Sequence, residues 1–441
     1  MQRFRPLARA PAPWQLGILQ WWLRPVPILL LVITLYVTFL GFNYEQWVPR
    51  RYVPSADYWW GLALLAMLAI GAALGGSLGR RPGTDRFGLT AGPGQPVDVP
   101  PALMGLLLAL TLLAYAIWFG PLLAQPGVIV ERFTGERSTL RDATSTLPGI
   151  TTLTQCGIAY AILYAVKAGA GMRRPRRWER WGLVLVVLLA AVRSVLWAER
   201  LALIEVVVPL VVTSLAFHRF RTKGTATLLS LLPLLGSIAV YLVFTATEYF
   251  RSWPYYQDQY ASIWLFSLDR LTAYYAIATN SGIGLLHESR GWPHFSGQYV
   301  FEWLYQLPGI GESLIDLVGD RRRDYEHFLL YIGRAEFNNP TGIFVIVYDV
   351  GYVASALYFV LVGMVIGGCW SGFRQHRLAG LLAYPMCFMF MLELLRFNYF
   401  ASTRFIPVLA SLLLAFVWIR SHRRPLLRMS PAPRPLSRQE V

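Results

Sequence analysis

An all-α, polytopic integral membrane protein is the fold class this sequence predicts, on three observations. There are ten long apolar runs, the connections between them alternate between basic and charge-balanced, and one connection is far longer than the rest. A helix crossing the hydrocarbon core needs about 20 mostly apolar residues. Runs of that kind begin near Pro25, Asp57, Pro101, Pro148, Trp181, Leu201, Ala226, Tyr348, Leu378 and Thr403. Basic residues collect in cytoplasmic connections. Residues 167–180 hold six basic residues and one acidic, and 420–441 repeat that ratio; 131–142 hold three of each sign, and 43–57 two of each. This alternation predicts about ten transmembrane helices with both termini cytoplasmic.

The first run follows Arg3, Arg5, Arg9 and Arg24. It resembles a signal sequence but runs too long and lacks a small-residue cleavage site, so it reads as an uncleaved first span. The fourth run opens with Pro148-Gly149-Ile150-Thr151-Thr152-Leu153-Thr154-Gln155, and the fifth and sixth are joined by the short link Trp197-Ala198-Glu199-Arg200. After the seventh run, residues 248–340 contain no membrane-spanning stretch and form a large extracytoplasmic loop within a single integral domain, 1–441. A connection this long carries structure or function of its own. Within it Trp264, Leu268, Leu271 and Tyr275 recur at helical spacing, with Asp269, Arg270 and Asn280 off that stripe, which predicts a helix lying in the membrane interface. The run Asp320-Arg321-Arg322-Arg323-Asp324 reads as a solvated turn. The Pro- and Arg-rich tail, 422–441, reads as disordered and cytoplasmic.

The net charge of +16 would point to nucleic acid in a soluble chain. Here the excess lies in cytoplasmic connections and at the two ends, where it sets orientation and meets anionic lipid, so a nucleic-acid partner is excluded. Cys156, Cys369 and Cys387 form no spaced pair and the six histidines are scattered. Neither a disulfide framework nor a protein-held metal is expected, and no cofactor is implied.

The balanced face concentrates polar groups at span ends. Residues 131–141 carry Arg132, Arg137 and Arg141; Arg193 and Arg200 flank the short fifth link; and Glu205 lies about 7 Å deeper than Arg200 at the helical rise. Arg334, Glu336, Asn338 and Asn339 precede the eighth span, Asp349-Val350-Gly351 lies inside it, and Glu393, Arg396, Asn398 and Arg404 gather at the ends of the last two. A charge within a span costs roughly 2.5–3.5 kcal/mol on insertion scales, so Glu205, Asp349 and Glu393 are functional candidates. An internal ion pair, such as Glu205 with Arg193 or Arg200, is the competing account. Arginine suits phosphate because it is always charged and donates two parallel hydrogen bonds. Arginines beside a lipid-accessible cleft therefore fit a polyprenyl diphosphate headgroup, and a carboxylate among them could take a proton from a sugar hydroxyl.

The segments 137–155, Glu199-Arg200 with Glu205, Arg270-Leu271-Thr272-Ala273-Tyr274-Tyr275 and 334–351 together resemble the Wzy-type O-antigen polymerases, the oligosaccharide repeat-unit polymerases. Within them Glu336-Phe337-Asn338-Asn339-Pro340-Thr341-Gly342, followed by Asp349-Val350-Gly351-Tyr352, is the most telling. The resemblance implies a metal-independent glycosyltransferase of the bacterial cytoplasmic membrane. It would move a growing glycan from its undecaprenyl-diphosphate carrier to a newly flipped lipid-linked unit on the outer face. A flippase and a chain-length regulator would be partners, with membrane lipid. Arg137, Arg141, Arg200 and Arg270 would hold phosphate or acidic sugar, Arg334, Asn338 and Asn339 would orient substrate, and Glu336 would be the base, with Asp349 second. An O-antigen ligase, which uses the same donor, is the nearest alternative. A monosaccharide transferase fits less well, since the first outer link offers only Glu45 and the distant Asp57. A transporter for the same lipid-linked sugars is the non-enzyme alternative, but the chain shows no internal repeat.

The topology is tested by reporter fusions. Fusions at Arg176, Lys223 and Arg424 are expected to report cytoplasm, and fusions at Thr139 and Asp316 the outside. A cytoplasmic signal at Asp316 would invert the assignment of every candidate residue above.

Overall fold

The structure, a computed structural model, describes residues 16–41, 47–53, 55–79, 97–129, 144, 146–147, 149–197, 199, 201–289, 293–307, 309–334 and 336–428. The described residues are helical apart from their connections, with two isolated β-bridges and no strand. Eleven long helices run in order: α1 (Pro25–Gly41), α2 (Ala56–Leu78), α3 (Pro101–Leu123), α4 (Cys156–Ala170), α5 (Arg177–Leu196), α6 (Leu201–Phe217), α7 (Leu232–Arg251), α8 (Ile263–Glu288), α9 (Phe344–Arg374), α10 (Leu378–Glu393) and α11 (Phe405–Arg428). By length and composition α2, α3, α7 and α9 are, among the described residues, long and apolar enough to cross a membrane, while α1, α6, α10 and α11 contain shorter apolar stretches, Pro25–Thr38, Leu201–Phe217, Leu378–Glu393 and Phe405–Ser421. Every apolar run carries one of these helices. Two of them start late: the fourth run opens as a 3₁₀ turn, Thr151–Gln155, and the seventh first forms a separate short helix, Lys223–Ser230. The last helix continues to Arg428, into the stretch read as an irregular tail.

The tightest helix pair is α2 against α9. Gly71 and Gly75 on α2 face Gly363 and Gly367 on α9, and each side presses backbone onto backbone. A Cβ at Gly75 would overlap the Met364 carbonyl oxygen, and one at Gly367 the Ala72 carbonyl oxygen. Where the surroundings are as apolar as the side chains, close packing of small residues takes over the holding of helices together.

Helix α9 is interrupted once, at Gly351 (φ +78°, ψ 172°), a backbone region open to glycine. The break separates Asp349 from the continuous helix beyond it and turns its carboxylate to the loop 295–300. That carboxylate accepts from Ser296 Oγ (2.7 Å) and from the backbone N–H groups of Gly297 (2.7 Å), Tyr299 (3.0 Å) and Val300 (3.3 Å). Four donors on a side chain with no exposure make Asp349 the anchor of this loop.

Helix α8 departs from the expected interfacial geometry in one respect: its polar groups face inward. Trp264, Leu265 and Leu268 are exposed, while Arg270 is fully buried and Asn280 nearly so. The helix lies along the link between α1 and α2, with Trp47 Nε1 donating to Asp269 (2.7 Å), Asn280 bridging the backbone of Arg50 and Tyr52, and Glu288 pairing with Arg50 (2.7 Å). An apolar surrounding on the outside and a polar partner on the inside reverse the usual amphipathic preference. The opposite end of the bundle is closed by the turn at residues 16–23, where Trp21 and Trp22 donate to the carbonyls of Ser230 and Leu229 (both 3.0 Å). There Glu179, the one acid of residues 167–180, is spent on the buried Lys167 (2.6 Å), which leaves Arg173, Arg174, Arg176, Arg177 and Arg180 exposed.

Gly367→Leu is expected to lower the thermal midpoint of the purified protein clearly. The added side chain must move a backbone rather than a flexible tip, and overpacking of this kind costs about 1–3 kcal/mol or more.

Candidate functional site

The links between α5 and α6, between α8 and α9, and between α10 and α11 converge on one cavity of about 830 Å³. Its apolar lining includes Leu201 and Ile204 from α6, Val240 and Phe244 from α7, and Leu271 from α8. Its polar lining comes mainly from the links: Glu302, the short helix Arg322–Tyr331 with Arg322 and Glu326, the segment Glu336 to Thr341, and Glu393, Arg396, Asn398 and Arg404. Tyr274, Tyr275, Tyr299 and Tyr325 also line it.

Most of its charges are paired. Arg396 Nη1 meets Glu393 at 2.9 Å. Arg404 pairs with Glu199, which also takes the Arg193 Nε–H (2.7 Å). Behind this pair Glu205 is almost wholly buried, at 3.2 Å from Gln155 Nε2 and 4.0 Å from Arg404. Among the described residues Arg404 is the cation within ion-pair distance of Glu205, and Arg193 also acts on it electrostatically. Arg193 is held in turn over the Trp118 ring (4.6 Å) and donates to Thr154 Oγ1 (3.2 Å). Burial alone would raise the Glu199 carboxyl, but the Arg404 and Arg193 guanidinium groups outweigh it and hold it below the usual carboxylate value. Glu302 goes the other way: burial raises it despite the charges of Arg322 and Arg404 and a hydrogen bond from Gln306 (2.8 Å).

Glu336 joins the cavity to Arg270, a fully buried guanidinium. Its Oε1 pairs with Arg270 Nη2, and its Oε2 lies 3.5 Å from the Tyr256 hydroxyl. Arg270 meets a second carboxylate, Glu248 on α7, at 2.9 Å, with neither side chain exposed. The rings of Trp47, Tyr256, Phe266 and Phe337 surround its guanidinium at 5.4–5.6 Å. Both cation–π attraction and exclusion of water strengthen this arrangement.

The candidates drawn from the sequence thus fall into three groups. Glu336, Asn338 and Asn339 line the cavity. Arg270 stands behind its wall and touches it through Glu336, Asp349 anchors the neighbouring loop, and Arg334 is exposed outside the lining. Arg137, Arg141 and Arg200 lie outside the described residues. Arg322, Arg396, Arg404 and Glu302 are cavity residues that were not among the chosen candidates. Arg396 and Arg404 were visible as charges at span ends, and Arg322 was visible but read as part of a solvated turn. Nothing in the local pattern marked Glu302, since only the folding of 293–307 against α9 brings it inward. Among the described residues no group of three His, Cys, Asp or Glu side chains is placed to hold a metal ion.

Comparison of the chain with protein-family models, with characterised proteins and with solved structures gave no match.

Arg270→Gln, which strands the fully buried Glu248 without a counter-charge, is expected to cost about 3–5 kcal/mol in denaturant unfolding. The double variant Arg270→Met with Glu248→Gln is expected to recover part of that loss, because it removes both members of the buried pair. A double variant no more stable than Arg270→Gln would show that the pair does not act as a unit.

Proposed function

We propose that this protein is a membrane glycosyltransferase of the repeat-unit polymerase type, acting in the bacterial cytoplasmic membrane with the cavity on its outer face. Ten helices cross the bilayer in this reading, and both termini are cytoplasmic. The observation that carries it is the mixed lining of the cavity, in which apolar side chains of α6 and α7 are joined by arginines, carboxylates and tyrosines. A ligand that is part hydrocarbon and part polar, with both anionic and hydroxyl-rich portions, matches such a site. An undecaprenyl-diphosphate-linked oligosaccharide has that composition.

Each part of the ligand has a counterpart. The polyprenyl chain lies along Leu201, Ile204, Val240 and Phe244. Arg322, Arg396 and Arg404 face the diphosphate, and Arg137, Arg141 and Arg200, which lie outside the described residues, keep the phosphate role that the resemblance implies. Their fixed positive charge favours the departing diphosphate as negative charge builds on it. Tyrosine rings and the amide groups of Asn338 and Asn339 engage the sugars, where an aromatic face and a hydrogen-bonding tip are both useful. Glu336 is directed by Arg270, so that its carboxylate meets an acceptor hydroxyl in a fixed orientation. The acceptor oxygen then bonds to the anomeric carbon of the donor glycan as the bond from that carbon to the diphosphate breaks. A flippase supplies the new unit and a chain-length regulator limits the product.

The decisive test is the surface glycan of a deletion strain. A single repeat unit capped on the acceptor supports polymerisation, whereas no capped glycan at all would indicate a ligase. Complementation with Glu336→Gln is expected to leave lipid-linked units unpolymerised. Loss of one oriented, charge-assisted hydrogen bond costs about 1.5–3 kcal/mol, on the order of 10–100-fold in rate. Wild-type glycan from Glu336→Gln at normal protein level would remove Glu336 from the site.

A further inference from the structure

Among the described residues five glutamates reach the cavity, and their surroundings sort them by what they can do. A carboxylate that is to accept a proton needs a free oxygen lone pair and some relief from water. Glu199 is clamped between Arg193 and Arg404, Glu393 is held by Arg396, and Glu336 by Arg270. A proton on any of these would neutralise a carboxylate that a neighbouring arginine favours in its ionised form. Glu326 is exposed, where bulk water competes for it. Glu302 alone is half-buried, with no arginine, lysine or histidine nitrogen within ion-pair distance among the described residues. Its Oε1 accepts from Gln306 Nε2 at 2.8 Å, and no hydrogen bond to Oε2 is formed among the described residues.

We propose that Glu302 is the proton acceptor of the transfer step. This rests on the glycosyltransferase reading above and moves to Glu302 the role that the sequence pattern assigned to Glu336. As the acceptor oxygen bonds to the anomeric carbon, its proton passes to Oε2 of Glu302. The electron pair of the breaking carbon–oxygen bond leaves with the diphosphate, which departs as an anion. The proton is then released to water through the cavity mouth. Glu336 remains tied to Arg270 and orients the acceptor.

The surroundings of Glu302 support this division of work. Its backbone is fixed from the far side, because the neighbouring Trp303 N–H donates to the Ala401 carbonyl (3.0 Å). The groups that face it are Arg322, Arg404, Tyr299 and Gln306. Burial outweighs the two arginines and lifts the carboxyl above its ordinary value of about 4.3. A base works only when ionised, so activity should fall as pH drops through this raised value, at a higher pH than an ordinary glutamate would give.

The test uses the purified full chain in lipid nanodiscs, with lipid-linked oligosaccharide extracted from the deletion strain as donor and acceptor. Chain extension is followed from pH 4 to pH 9 for wild type, Glu302→Gln and Glu302→Asp, each checked for its thermal midpoint. Wild type is expected to show an acid limb. Glu302→Gln is expected to lose about 10²–10⁴-fold in rate and to lose that limb, while Glu302→Asp keeps the limb at reduced rate. A folded Glu302→Gln with the wild-type profile overturns the role of Glu302 and leaves the transferase reading standing. If Glu302→Gln fails to fold, a wild-type or Glu302→Asp profile without an acid limb overturns it equally. Wild-type protein that extends nothing overturns the transferase reading itself.

Discussion

A guanidinium with no access to water must find its counter-charge inside the protein, and Arg270 finds it twice. Glu248 comes from the membrane-type helix α7 and Glu336 from the long link before α9, so one side chain on α8 joins three separate elements. Breaking such a pair is far more costly than forming it is favourable, which makes it a device for geometry more than for stability. Around it the rings of Trp47, Tyr256, Phe266 and Phe337 exclude solvent and fix the guanidinium plane. The position of Glu336 on the cavity wall follows from this enclosure.

The same constraint explains why Arg270 and Asn280 on α8 face inward. Trp264, Leu265 and Leu268 at its start are exposed, Leu271 and Tyr275 line the cavity, and Asp269 and Asn280 meet the α1–α2 link. A surface helix in water would be arranged the other way. Where the surroundings are apolar, exposure of Trp264 and Leu268 costs nothing, and burial of Arg270 and Asn280 is tolerable because each is met by a partner. Two further elements keep the frame rigid around the site. The Gly71/Gly75 and Gly363/Gly367 contact locks α2 to α9, and Asp349 ties the loop 295–300, which leads directly to Glu302, to the break in α9.

Charge is distributed in the cavity with a clear division. Arg396 and Arg404 each sit at the end of a helix beside a carboxylate that holds them in place, yet both still line the open volume. A guanidinium has donors in several directions, so one edge can be fixed by a glutamate while another faces a ligand. What separates the glutamates is charge: among the described cavity residues Glu302 is the one half-buried glutamate not held by an arginine, and so it stands apart chemically from its neighbours.

Hydropathy and charge by themselves determined the helical class and the position of every long apolar helix, because a run of some twenty apolar residues has few alternatives in a chain. They also marked the segment Glu336 to Asn339, which lines the cavity, and the unusual Asp349-Val350-Gly351, where α9 breaks. What they could not determine is which charged groups meet. Arg270 and Glu248 lie in different segments, and Arg404 finds Glu199 across half the sequence. Pairing decides whether a buried charge is a structural tie or a reactive group, and pairing is a property of tertiary contact. Arg270 changed from an expected ligand contact to an internal bridge for that reason. Glu302, silent in the sequence, entered the cavity because its loop is folded back by backbone hydrogen bonds that no local pattern encodes.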